Sequence, residues 1–595
     1  MILQALVEHY EALERLGEIS PPGWEDVGVS YALCIDAAGA LTQAVCVMTE
    51  QPRGKKTVLA KQQMRLPARI KKTSGVASNF LCDNSSYILG VDHKGKPQRA
   101  KECFAEAARL HHELLDGVES PGARALLHFY DTWNPDEAAA HPALQDVLEY
   151  IMAGANLVFR YDGMYLHDDP AIRTAWDSHY NGASGDETTG ICLVTGREEA
   201  IEAVHPSIKG VQGAQSSGAS LVSFNADAFC SYGKSQNYNA PVGKYAAFAY
   251  TTALNHLLAD RERLLRMGDA TVVFWAESGE DPYRDMMNGY AFDAPGTYDS
   301  NDLAGLAKAL CQGQKVVFED TLLDPEMKFY ILGLSPNAAR LSVRFFLQNS
   351  FGNFLKNVQA HHDRMEIVRP ANDAFDAVPL WKMLDETVNQ NSRNKAPVPN
   401  LAGETLRAIL NDTPYPAQLL SGVQLRIRAE RKIDRGRAAI IKAYYLKNKH
   451  VDVPKEVLTV SLNPMSTNVP YILGRLFSVL EAIQSSASNS NKGNSGIESN
   501  KLSSTIKDRY FNSASATPAH VFPTLINLAQ KHLNKIRKTN SGLAVYYDKQ
   551  LAELLGKLED SYPNHLSIPQ QGAFQLGYYH QTQDRYTSKK SEGGK

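Results

Sequence analysis

The chain has 595 residues, 43% of them hydrophobic, and a formal net charge of −3. That length supports a large core in roughly two to four domains, and the near-neutral balance does not by itself mark a polyanion binder. No run of about 18 apolar residues occurs, which excludes a helix that spans a bilayer.

In chain order, "MILQALVEHYEAL" has apolar residues at helical spacing and an early glutamate. It reads as an amphipathic helix and not as a signal peptide, because a basic n-region and a continuous apolar stretch are missing. Residues 29–48 predict two β runs joined by a turn at "DAAG". A basic island follows: between Gln51 and Lys101 there are twelve Lys or Arg against two acids, Asp83 and Asp92. Its centre, "KKTSGVASNFLCDNSSYILG", opens with Lys71 and Lys72 and ends in a strand-like "SSYILGVD". From Lys101 to Val118 the period turns helical, with Phe104, Ala107, Leu110, Leu114 and Leu115 on one side.

Residues 185–242 are dense in Gly, Ser, Ala and Asn and predict loops and short strands. A long helix is expected from Gly243 to Arg266, ended by Gly268, followed by a buried strand at "ATVVFWAE". "KFYILGLSPNAARLSVRFFL" predicts two apolar strands around a Pro-Asn turn. Beyond Leu380 the pattern is almost wholly helical, broken by a polar tract at 484–504 that predicts a mobile loop. From Met465 onward there are 15 bases and 9 acids, so a second basic region closes the chain. The expected class is α+β: a mixed α/β body with a strand-rich basic region over residues 1–380, a helical connection at 381–464, and a C-terminal helical bundle at 465–595.

Catalytic motifs are poorly met. "AFCSYGKS" (Ala228 to Ser235) fits a relaxed Walker A pattern. A phosphate-wrapping loop needs small residues and a helix starting at the lysine, whereas Phe229 and Tyr232 are bulky and Asn239-Ala240-Pro241 delays the helix. "GVQGAQSSGAS" has the wrong spacing for a nucleophile elbow, and its glycines suit close approach to a ligand or duplex better. "HHD" (His361 to Asp363) lacks the further convergent ligands that a metal centre needs, and the seven cysteines, without CxxC pairs, fit free thiols in a reducing cytosol. The sequence therefore predicts no enzyme, metal or cofactor. Lysines that neutralise phosphate, amides that reach base edges and glycines that permit approach favour nucleic-acid binding.

The blocks "KKTSGVASNFLCDNSSYILG", "HPSIKGVQGAQSSGASLVSFNADAFCSYGKSQNYNAPVGKYAAFAYTTALNHLL", "GDATVVFWAES" and "FYILGLSPNAARLSVRFFLQNSFG" resemble the large subunit of the subtype I-C CRISPR interference complex, Cascade. The resemblance covers nearly the whole chain, the 484–504 tract excepted. It implies a prokaryotic, cytoplasmic subunit of a crRNA-guided particle. Such a subunit reads the protospacer-adjacent motif on duplex DNA, helps open the strands and docks a separate helicase-nuclease. It implies further partners: crRNA, the backbone subunits, the crRNA-processing subunit and a small subunit made from an internal start, here Met465.

With that role, Lys71, Lys72, Ser74, Asn79 and Asn84 are the first candidates for motif and backbone contact. Gln215, Ser216 and Ser217 in "GAQSSG" are the second, and Asn225, Tyr232 and Lys234 the third. In the C-terminal region Arg475, Lys507, Arg509, Lys531, Lys535, Arg537 and Lys538 are candidates for phosphate contact. Turn capping is the structural alternative for Asn79 and Asn84, and Tyr87 is expected in the core. The competing functional readings are a nucleotide-dependent enzyme using "YGKS" and a protein-only scaffold.

Overall fold

The computed structural model describes residues 1–53, 56–69, 76–92, 96–181, 188–292, 300–371, 373, 377–393, 395–489, 504–558 and 561–591. The chain divides into two compact units, residues 3–206 with 222–253, and residues 207–221 with 254–595. The expected boundaries at 380/381 and 464/465 lie inside the second unit. Among the described residues, no helix is long and apolar enough to cross a membrane.

The first unit opens on the helix Ile2–Leu16, which buries Leu6, Tyr10 and Leu13 and stops at Gly17 in a left-handed cap. Its main sheet has the order Leu41–Cys46, Tyr31–Ile35, Leu157–Tyr161, Met164–Tyr165. The hairpin expected at 29–48 is present, with Tyr31 opposite Cys46. Asp36 closes its turn by accepting the Ala38 and Ala40 amides at 2.9 Å each. Gly39, at φ +77, sits where any side chain would strike the Phe129 backbone. Tyr31–Ile35 and Leu157–Tyr161 pair in parallel, so a long crossover must join them. That crossover carries the helices Pro97–Leu115 and Pro121–Thr132, and Phe129 and Tyr130 of the second pack edge-on against Phe159 of the sheet.

Two expectations in the second unit hold and one fails. Ala270–Ala276 is a strand buried at every position, as an unbroken apolar run requires. It lies in a four-stranded antiparallel sheet beside Leu265–Met267 on one edge and Lys328–Asn337 on the other, with Arg340–Ser350 outermost. The two strands predicted at 328–347 form, but Pro336 and Asn337 still pair with Leu341 and Arg340, so the turn falls one step later, at Ala338 and Ala339. The helix expected to reach Arg266, however, ends at Ala259. Arg263 is drawn out by Asp285 (2.5 Å) and Asp281 (3.0 Å), and the apolar residues after it enter the sheet edge instead of continuing a helix.

From Leu380 the chain is helical. One apolar core runs from Met267 in the sheet to Tyr579 in the final helix, Ile568–Ser591. The tract at 484–504 is not wholly a loop: the helix Val469–Asn489 takes in its first residues, because Ile483 and Ala487 still face the core. Its remainder to 503 lies outside the described residues.

Candidate functional site

Lys71, Lys72 and Ser74 lie outside the described residues, so the site is built from the segments around them. The segment 76–92 of the first unit forms a tight turn and not the expected strand. Asp83 accepts the amides of Asn79 (3.0 Å) and Asn84 (2.9 Å) and the Asn84 side-chain amide (3.2 Å). Asn84 Oδ1 in turn accepts the Ser86 amide at 3.0 Å and caps the one-turn helix Ser85–Ile88. Capping overrides the β-like alternation of "SSYIL", and Tyr87 and Ile88 are buried as expected for core residues.

The turn is fixed from below by a histidine that sequence reasoning passed over. Leu81 has φ +59, rare for a branched side chain, and donates its amide to His111 Nε2 at 3.0 Å. His111 Nδ1 lies 2.7 Å from the Ala107 carbonyl, so the ring is neutral and carries its proton on Nδ1. Phe80 lies against the same ring and stacks on Trp176 at 5.4 Å. Burial lowers the His111 pKa to about 4. Asn79 is accordingly a buried turn residue and Asn84 a cap, each with its amide engaged within the turn.

Beside this turn lies an open cleft of about 510 Å³ lined by Asn84, Ser86, Asp92, Lys96, Arg99 and Asn156 among others. Lys96 and Arg99 belong to the basic island, were not singled out as site residues, and are exposed at the cleft. Elsewhere the island is partly neutralised: Arg69 bonds Glu25 at 2.6 Å, Arg65 faces Asp26 at 3.7 Å and Lys101 meets Asp136 at 2.7 Å. Charge counting overstated its field, because acids distant in sequence fold back onto it.

In the second unit, residues 207–221 make a closed loop. Ile208 and Ala219 exchange both amide bonds, at 2.9 and 2.8 Å. Asn255 takes the Lys209 amide at 2.8 Å and donates to the Ser207 carbonyl, while Thr271 Oγ1 accepts the Gln212 amide at 3.0 Å. Gly218, at φ +101, packs on Ser207 and the Ile208 carbonyl with no room for a side chain. Gln215, Ser216 and Ser217 stand exposed at the tip of this braced frame.

The third candidate group, in the first unit, lies on the loop 225–239. Asn225, Tyr232 and Lys234 are all exposed, Tyr232 at 99%. The Walker-like segment lacks strand-loop-helix geometry: it begins within the 3₁₀ turn Asp227–Phe229, another 3₁₀ turn, Gln236–Asn239, follows it, and the next α-helix starts at Lys244. His361 of "HHD" is buried with Nδ1 2.7 Å from the Tyr415 hydroxyl. Among the described residues, no group of three or more His, Cys, Asp or Glu could hold a metal ion.

The C-terminal candidates separate by exposure. Arg475 is 4% exposed and donates to Gln581 at 2.9 Å, so it faces the interior of the bundle and not a phosphate. Lys507 is half-buried against the Tyr578 ring and hydroxyl. Arg537 is exposed but bonds Asp548 at 2.6 Å, and Arg509 is exposed. Lys531, Lys535 and Lys538 lie exposed on the helix Pro518–Thr539 at a spacing that shares one face.

These features define a class: an α+β protein with a helical C-terminal region, presenting braced loops rich in amides, hydroxyls and an exposed ring. The sequence profile of one family, described as CRISPR-associated protein (Cas_Csd1), matches residues 6–586, and the chain belongs to that family. No curated protein matches the chain.

Proposed function

We propose that the chain is the large subunit of a subtype I-C interference complex. It reads the short motif flanking the target on duplex DNA, helps begin strand opening and offers a docking surface to a helicase-nuclease. Guide pairing supplies the sequence specificity in such a particle, so this subunit needs only short polar contacts and charge. It works in the prokaryotic cytoplasm with crRNA, backbone subunits and the crRNA-processing subunit, and in this reading it breaks no covalent bond. Supporting this, beside the family membership, are rigid loops whose exposed tips carry Gln215, Ser216 and Ser217 in one unit and Asn225, Tyr232 and Lys234 in the other.

The test is co-purification with crRNA and backbone subunits, then binding to duplexes that differ only in the flanking motif. The assembled wild type is expected to discriminate. Replacing Gln215, Ser216 and Ser217 by alanine should flatten that discrimination. Lys71→Ala with Lys72→Ala should weaken binding to all duplexes and make the salt slope shallower by about one unit per lost phosphate contact. Equal capture whatever the flanking bases would overturn the reading.

The lysine face of Pro518–Thr539 fits a backbone track for single-stranded or duplex DNA. In the same reading a second product starts at Met465, an 81% exposed residue preceding the helix Val469–Asn489, and serves as the small subunit. Replacing the Met465 codon should abolish a short C-terminal product on an immunoblot; persistence of that product would rule this start out.

A further inference from the structure

Residues 231–234 make a turn whose sequence is wrong for its shape. Ser231 accepts the Lys234 amide at 3.0 Å, and the two central residues, Tyr232 and Gly233, have φ +55 and +69. That is the pattern of a type I′ turn, which prefers Asn or Asp before Gly because short polar side chains tolerate the left-handed backbone. A tyrosine in that place adds strain, and its ring gains no packing in return at 99% exposure. The turn persists because Asn239 fastens it from outside. Its Oδ1 accepts the Ser231 amide at 2.8 Å, and its Nδ2 donates to the carbonyls of Lys234 at 3.1 Å and Gln236 at 2.9 Å. Lys234 is the sole charged residue between Asp227 and Lys244, and it is exposed beside the ring.

We infer that Tyr232 is a stacking finger for a nucleobase exposed where the duplex opens, with Lys234 on the adjacent phosphate and Asn239 as the positioning residue. This deepens, and rests on, the proposed reading of duplex DNA. A fully presented phenol face on a fastened turn beside one cation is what base stacking requires: every base has a π face, and the interaction needs no hydrogen-bond code. Prior fixation by Asn239 removes the ordering entropy that a flexible loop would lose on binding.

The experiment uses the assembled complex with crRNA and two target duplexes, one fully paired and one already mismatched beside the flanking motif, each with 2-aminopurine at the first target position. Tyr232→Ala is expected to weaken capture of the paired duplex roughly five- to hundred-fold, the range that one stacked base supplies. The loss should shrink on the mismatched duplex, and the change in 2-aminopurine fluorescence on binding should disappear. Tyr232→Phe and Tyr232→Trp should retain both signals, Tyr232→Leu should lose them, and Asn239→Ala should fall between, with thermal melting of Tyr232→Ala unchanged.

If Tyr232→Ala binds and reports as wild type does, the inference fails while motif reading stands. A defect confined to capture of the helicase-nuclease would make the ring a protein contact and overturn it equally. If the wild-type complex ignores the flanking bases altogether, the failure belongs to the proposed function.

Discussion

Between pH 6.5 and 5.5 four buried histidines are expected to remove about 4 kcal/mol of stability, summed over the two units and before any opposing group is counted, a large share of what a typical domain has. His111 and His205 are each lowered to about 4, His580 to about 3, and His361 well below the ordinary value, in every case mainly by burial. Three share one arrangement, with Nδ1 against a buried phenol: Tyr250 at 2.7 Å, Tyr415 at 2.7 Å and Tyr471 at 2.9 Å.

The folded pKa values lie below the unfolded value of 6.5, so above that pH neither state binds the proton and nothing is lost. Below it the unfolded chain takes up protons that the folded chain refuses. Each site then costs about 1.4 kcal/mol per further pH unit, until the folded pKa is reached. Glu386, raised to about 7 by burial and by Asp434, works in the opposite sense and offsets part of the loss. His111 adds a local effect, because protonating Nε2 removes the acceptor of the Leu81 amide. The protection of the Leu81 amide, its exchange rate measured against the intrinsic rate at each pH, should therefore fall as the pH falls. Urea midpoints at pH 7.5, 6.5 and 5.5 check the main claim, and a flat series would refute it.

The residues that define the candidate site were only partly legible in the chain. Ala270–Ala276 could be read because its run is short and rich in β-branched and aromatic residues, which favours a buried strand over a helix. "SSYILG" could not, since its alternation is β-like while the deciding bonds come from Asp83 and Asn84 side chains to nearby amides. The exposed tips at 215–217 and 232–234 could be picked from composition. The long-range braces could not: Asn255 holds the Lys209 amide across 46 positions at the base of the first tip, and in the 76–92 turn His111 holds Leu81 across 30. Charge was the weakest guide, because Arg69 and Arg475 look alike in a count, yet one bonds Glu25 on the surface and the other is closed inside a helix pair.

That helix pair sets the second large effect. Gly474→Val or Gly577→Val should each destabilise the C-terminal helices by on the order of 4 kcal/mol or more. The estimate combines overpacking at about 1–3 kcal/mol with buried polar groups left unbonded at a similar cost each. The helices Val469–Asn489 and Ile568–Ser591 cross with backbone touching backbone: a Cβ on Gly474 would overlap the Phe574 carbonyl, and one on Gly577 the Tyr471 carbonyl. Close approach is what lets short polar groups meet across the pair. Tyr471 reaches His580, Arg475 bonds Gln581 at 2.9 Å, Ser478 meets Thr582 at 2.8 Å and Tyr578 donates to Glu481 at 2.5 Å.

Pushing the axes apart by a methyl group would stretch that whole series, and Arg475 would be left charged and buried without Gln581. Gly542→Ala is the control: it too lies in a helix, Ser541–Gly556, but a Cβ there meets only the Asn540 side chain at 3.7 Å. Its melting point should stay level or rise. Both crossing helices fall within residues 465–595, so a product started at Met465 would keep this contact and depend on it as heavily as the full chain does. Circular dichroism melts of both lengths decide the matter, and a Gly474→Val chain that melts with the wild type would sink the argument.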